Sequence, residues 1–204
     1  MTTRGGVRLG LLLLLSVVAG LVVASLVNRP QPLPSSRPAS PPSAANRIYL
    51  TKDQVRLAAR EDASLGQVAS LLKVASRLRY GDFKWDEQGV PPGRLWVRVD
   101  LKTQTLSVFR GGHEIGTAVI LYGTDGKPTP LGDFRVLGKS KQHYSRTYDA
   151  PMPSSLWLTD DGVAIHGSDI RWGAATHGCV GVPLKFAALL FGAAAVGDRV
   201  SIVP

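Results

Sequence analysis

Residues 95–121 read LWVRVDLKTQTLSVFRGGHEIGTAVIL. Apolar Leu95, Val97 and Val99 alternate with Trp96, Arg98 and Asp100, the period-two pattern of a strand with two unlike faces. Thr105 to Phe109 and Glu114 to Leu121 repeat that composition on either side of the turn Arg110-Gly111-Gly112-His113. Together they predict a β-meander.

Toward the carboxyl terminus, Phe134 to Leu137 predicts another strand, and Gly162 to Ile165 a strand that runs straight into His166. Residues 184–195 (LKFAALLFGAAA) predict a helix, with Pro183 at an allowed first-turn position. Arg199 to Val203 closes the chain as a strand. Many short strands with one or two short helices predict a mostly β domain, sandwich-like or barrel-like, over 93–204. Residues 138–160 have no clear period, and a stretch of that length reads as a functional flap over a site.

Toward the amino terminus the pattern changes. Ser64-Leu65-Gly66-Gln67 has the form of a capping box, and Leu65, Val68, Leu72, Ala75 and Leu78 recur at helical spacing. They predict an amphipathic helix over 64–79, with another around 52–61, so that 47–92 becomes a small helical lead-in. Residues 29–46 hold prolines at 30, 32, 34, 38, 41 and 42, which predicts an extended, partly polyproline II tether. Residues 1–28 contain the uncharged run Leu9 to Val27. At ~1.5 Å per residue it reaches about 28 Å, close to the ~30 Å hydrocarbon core of a bilayer. Arg4 and Arg8 precede it and put the amino terminus inside. The segment reads as a transmembrane anchor or a signal, and either way the rest is expected outside the cytoplasm, as a periplasmic domain held to the inner membrane through residues 9–27.

The chain has 204 residues and a formal net charge of +9. A mild positive field concentrates anionic polymers or serves solubility alone. No Lys/Arg cluster is interleaved with aromatics, so no nucleic-acid partner is expected. Oligomeric state is not legible.

Cys179 is the single cysteine. It sits in Thr176-His177-Gly178-Cys179-Val180-Gly181-Val182-Pro183, 13 positions after His166 in Ile165-His166-Gly167-Ser168. No intramolecular disulfide is possible, and a lone thiol in an exported protein is buried, paired between chains or reactive. Two imidazoles nearby in sequence and a glycine-rich loop favour reactivity. An imidazole can take the thiol proton, and the thiolate can then attack an amide or ester carbonyl to form a thioester. The backbone N–H groups of Gly178 and Cys179 suit an oxyanion hole, because Gly178 permits close approach. Water as acceptor makes a peptidase; an amine makes a transpeptidase.

Ile-His-Gly-Ser followed by Thr-His-Gly-Cys-Val resembles the signature of the L,D-transpeptidase catalytic domain family. Lys127-Pro128-Thr129-Pro130-Leu131-Gly132-Asp133-Phe134 is similar to the family's Thr-Pro-x-Gly-x-Phe segment. The resemblance covers roughly 93–204. It implies a β-sandwich-like fold and a cysteine transpeptidase acting on peptidoglycan stem peptides, in which a thioester forms at the third residue and terminal D-Ala leaves. It implies Cys179 as nucleophile and His166 as general acid/base. His177 then shapes the oxyanion region, and Gly167 and Ser168 orient His166. No cofactor and no metal are implied. The chain departs from the family in having Gly181 two residues after the cysteine, where many members carry Arg or Asn, and in a short spacer. Arg171 and Trp172 in that spacer are candidates to supply the missing substrate contact, and Tyr122 is a further cleft candidate.

Three rival readings stand beside this one. The first is an L,D-carboxypeptidase using water. The second is a zinc hydrolase built on His166, His177, Cys179 and a carboxylate such as Asp169, although the spacing is not a common zinc pair. The third is a non-catalytic peptidoglycan-binding module.

Overall fold

The computed structural model describes residues 44–204. The expected anchor within 1–28, and all but the last three residues of the proline-rich segment, lie outside the described residues. Before the meander come β1 (Arg47–Tyr49), α1 (Lys52–Glu61), β2 (Ser70–Leu72) and β3 (Phe83–Trp85). The meander itself is β4 (Leu95–Asp100), β5 (Thr105–Arg110) and β6 (His113–Val119). It is followed by β7 (Gly132–Arg135), β8 (Gly138–Ser140), β9 (Tyr144–Ser145) and β10 (Ala150–Pro151). The chain then forms β11 (Ser155–Trp157), β12 (Ala164–Ser168), β13 (Val180–Pro183), α2 (Leu184–Ala193) and β14 (Arg199–Val203).

Two sheets carry the fold. The larger runs β1-β2-β6-β5-β4-β14-β7, with β3 also on β6; the smaller runs β13-β12-β11-β8. The fold is mostly β with two short α-helices among the described residues, as expected. The alternation in β4 does what its period predicts. Leu95, Val97 and Val99 enter the main core, where Leu106, Val108 and Ile115 meet Leu156, Ile165, Val180 and Val182 of the smaller sheet. Phe186, Ala187 and Leu190 of α2 join the same core. Trp96, on the opposite face, is buried as well: it stacks on Phe109 with centroids 4.8 Å apart and donates Nε1–H to Ser201 Oγ at 3.1 Å. That face is covered by Leu50, Leu65, Val68 and Leu71.

The helix expected over 64–79 does not form. Residues Ala63–Gln67 make a 3₁₀ turn, and Ser70–Leu72 is a strand. Asp62, not Ser64, is the cap: its Oδ1 accepts from the Ser64 backbone N–H at 2.9 Å and from Ser64 Oγ at 2.5 Å. The Ala69 N–H then donates to Gly112 O at 2.7 Å and Ser70 registers with His113. The edge of β6 thus captures the segment, because ladder bonds and burial of Val68 and Leu72 outweigh a weak helical preference. The capping box belongs to α1, where Thr51 and Gln54 exchange backbone–side-chain bonds at 2.9 and 3.3 Å. His113, expected in a solvated turn, begins β6, half-buried, with Nδ1 2.9 Å from Ser70 Oγ.

The flap is more structured than its lack of period implies. Its two roots, β8 and β11, pair with each other in the smaller sheet, and only 141–154 projects between them, carrying the β9–β10 hairpin. Lys139 fastens the root by donating to Phe191 O and Ala194 O, both at 2.6 Å, at the carboxyl end of α2. A cation there satisfies carbonyls that the helix leaves unpaired.

Candidate active site

The parallel pair β12–β13 builds the site. Ile165 registers with Val180 and His166 with Gly181. Ile165, Val180 and Val182 point into the core, so alternation turns His166, Ser168 and Gly181 to the other face. Cys179 lies in the bend just before β13, two residues ahead of Gly181, the register partner of His166. Cys179 and His166 both line one cavity of about 460 Å³. Ser168 and His177 also line it, and Tyr148, Met152 and Pro153 of the flap close it from above.

Hydrogen bonds set the chemistry of each group. His166 Nδ1 lies 3.0 Å from Gly167 O and 3.3 Å from Ser168 Oγ. A carbonyl only accepts, so Nδ1 carries the proton and Nε2 is the basic nitrogen. The Cys179 thiol donates to Gly162 O at 3.7 Å. Burial pushes the thiol above its ordinary range, against the Ala164 N–H and the Lys127 charge, which pull it down. Burial holds the His166 imidazole below its ordinary value, against the Gly167 carbonyl, which raises it. Burial thus disfavours the charged form of both groups.

The loop before the sulfur is pinned from several sides. Gly178 has φ of 103°, a left-handed conformation that a side chain would strain. Thr176 Oγ1 donates to Cys179 O at 2.5 Å. Thr129, from the Pro-Thr-Pro segment, is buried; it accepts from the Gly123 N–H at 2.9 Å and lies 3.5 Å from Cys179 O. His177 stacks on Tyr148 of the flap, centroids 4.3 Å apart and planes 12° from parallel. Lys127 donates to the Tyr148 hydroxyl at 2.5 Å, a bond that raises the ammonium above its usual value.

Cys179, His166, His177, Gly167 and Ser168 thus meet around one cavity. Trp172 and Tyr122 line a separate groove on the far side of Ala174 and Ala175. Arg171 pairs with Asp169 at 2.9 Å on the open surface. Gly181 has a steric reason: a Cβ there would lie 2.9 Å from Ser168 Oγ, 3.1 Å from Ser168 Cβ and 3.4 Å from Leu121 Cβ. The serine beside His166 fills the space that a longer residue at 181 would need. Sequence reasoning passed over Lys127, Thr129 and Tyr148 as site residues. Two of them stood in the Lys-Pro-Thr-Pro segment already singled out, but Tyr148 carries no pattern to mark it.

Residues 94–202 match the family model described as the L,D-transpeptidase catalytic domain. L,D-transpeptidase 1 of Mycobacterium tuberculosis is 28% identical over 134 residues, covering 57% of this chain and 53% of that protein. The chain spans about half the length of the curated relatives it matches. Among solved structures, the LD transpeptidase LdtMt1 in complex with imipenem is similar at a TM-score of 0.50 and 25% identity, over 54% of this chain and 59% of that one. An L,D-transpeptidase from Mycobacterium smegmatis shares the fold at a TM-score of 0.50 and 22% identity, over 54% and 59%.

Proposed function

The chain belongs to the L,D-transpeptidase catalytic domain family, and from that premise we propose that it is a cysteine L,D-transpeptidase of peptidoglycan stem peptides. The observation that carries the reading is a thiol and an imidazole on the wall of one cavity, the imidazole's Nδ1 held by Gly167 O, which leaves Nε2 as the nitrogen that can accept a proton. His166 Nε2 takes the thiol proton as Sγ bonds to the carbonyl carbon of the third residue. The oxyanion is stabilised by the Gly178 and Cys179 N–H groups. The imidazolium returns its proton to the departing amine of D-Ala as the C–N bond breaks, which leaves a thioester on Cys179. An acceptor amine then attacks the thioester, gives its proton to His166, and expels the thiolate, which is reprotonated. Ser168 and Gly167 orient the imidazole throughout.

The flap supports the same reading. Tyr148 lines the cavity and stacks on His177, which suits a flap that contacts bound substrate. We further propose that residues 9–27 hold the domain to the inner membrane, with 29–46 as the tether that lets it reach the wall.

The test is to incubate the full chain in detergent with a disaccharide-tetrapeptide and follow products by mass spectrometry. A crosslinked dimer or an amine-exchanged product is expected, with a thioester adduct trapped on Cys179. Imipenem, the ligand of the similar LdtMt1 structure, is expected to add one covalent mass to wild type and none to Cys179→Ala. Turnover by Cys179→Ala, or turnover abolished by a chelator, would overturn the thiol mechanism; trimming without transfer would move the assignment to a carboxypeptidase.

A further inference from the structure

On the far side of the Ala174–Ala175 wall lies a second opening of about 390 Å³, which shares Leu121 with the thiol cavity. It continues past Tyr80, Gln104 and Trp172 into a third recess of about 510 Å³ that ends at Arg77, Arg79 and Thr117. The recesses form one groove running away from the thiol. Trp172 stands in its middle with 84% of its surface exposed. An indole exposed to that degree inside a groove offers its flat face to a ligand.

The indole is also held in place. Tyr80 packs on Val119, Leu121 and Ile170, and its hydroxyl donates to Gln104 Oε1 at 2.8 Å. Its ring meets Trp172 edge-on, centroids 5.7 Å apart at 75°. Gln104 has φ of 55°, in the left-handed region that a non-glycine side chain rarely adopts. The other two such residues among those described, Asp149 and Ser154, lie in the flap. Strain of this kind collects where structure serves binding. Tyr80 lies outside the family-matched residues 94–202, so the lead-in supplies a wall that the matched domain lacks.

From this groove we infer a subsite for the amino-sugar chain that carries the stem peptide, one pyranose ring seated on the Trp172 face. The inference rests on the proposed peptidoglycan substrate. A pyranose offers an apolar C–H face to an indole and hydroxyl and acetamido groups to Gln104, Thr124 and Thr103.

The test separates the sugar from the chemistry. Saturation-transfer NMR and calorimetry of the full chain with a β-1,4-linked N-acetylglucosamine tetramer are expected to detect binding, and Trp172→Ala to weaken it about tenfold. Tyr80→Phe is expected to weaken it less, and Cys179→Ala to bind as wild type. In turnover, Trp172→Ala is expected to lower kcat/KM for a disaccharide-tetrapeptide about tenfold more than for the sugar-free tetrapeptide. No binding of the tetramer, equal binding by Trp172→Ala, or competition by free tetrapeptide at this groove would overturn the inference. The binding arm needs no turnover, so a failed thiol reading shows itself separately, as a sugar-binding protein without an acyl-enzyme.

Discussion

The β12–β13 ledge and the flap that faces it meet the same cavity on opposite physical terms. The ledge is core: Ile165, Val180 and Val182 are at most 1% exposed, and each contributes about 1.5–3 kcal/mol of burial. The flap is fastened at its roots and touches the rest of the domain at few points, among them the Tyr148–His177 stack and the Gly167 N–H bond to Pro153 O; its projecting part is largely exposed and carries Asp149 and Ser154 in left-handed backbone. The contrast teaches a division of labour. His166 rides on a buried strand and Cys179 on the bend that leads into another, while the facing side of the cavity rides on a largely exposed loop.

The sharpest way to break that division is at the ledge. Cys179→Ala is expected to reduce turnover to background, and His166→Ala to lower kcat by about 10²–10⁴-fold, both with a wild-type melting temperature by circular dichroism. A thermal shift accompanying the loss would mean the pair is structural. Gly181→Asn comes next. Its Cβ collides with Ser168, so about 1–3 kcal/mol of overpacking is expected, with kcat falling more than KM changes. A compensating Ser168→Gly should recover much of the stability and less of the rate, because the hydroxyl beside Nδ1 goes with it.

Smaller effects test the flap. Tyr148→Ala removes the stack on His177 and the Lys127 bond. KM is expected to rise about fivefold with stability unchanged, since an exposed stack is worth roughly 1 kcal/mol; an unchanged KM would detach the flap from substrate binding. The pH dependence is the gentlest probe. His166 must be neutral to act as base, and burial lowers its pKa, so the acid limb of kcat/KM is expected below the ordinary imidazole value of about 6.5. Cys179 is raised, so iodoacetamide labelling of the free protein should be slower at pH 7 than that of an ordinary thiol and climb only at alkaline pH. Fast labelling at pH 7 would restore a resting ion pair.

Much of this was legible in the chain. Period two in 95–121 foretold the meander because alternation survives in any sheet with two unlike faces. The thiol and imidazole were legible because Ile165-His166-Gly167-Ser168 and Thr176-His177-Gly178-Cys179 are contiguous motifs. The lead-in was misread: Leu65, Val68 and Leu72 fit a helical period, yet the edge of β6 recruited Ser70–Leu72 as a strand. Spacing within a segment does not reveal an unpaired edge elsewhere. Tyr148 was invisible for a related reason, since its contact with His177 bridges 29 positions and leaves no local trace.

By itself, then, the sequence determined the strand-rich domain, the candidate thiol and imidazole and the family to which the chain belongs, because these rest on local alternation and contiguous residues. Only the tertiary structure decided that His166 and Cys179 line one cavity, that burial disfavours charge on both, that Ser168 crowds position 181, and that Trp172 opens onto a groove apart from the thiol. Register, burial and the meeting of distant loops settle those points, and each is a property of the packed chain rather than of any stretch within it.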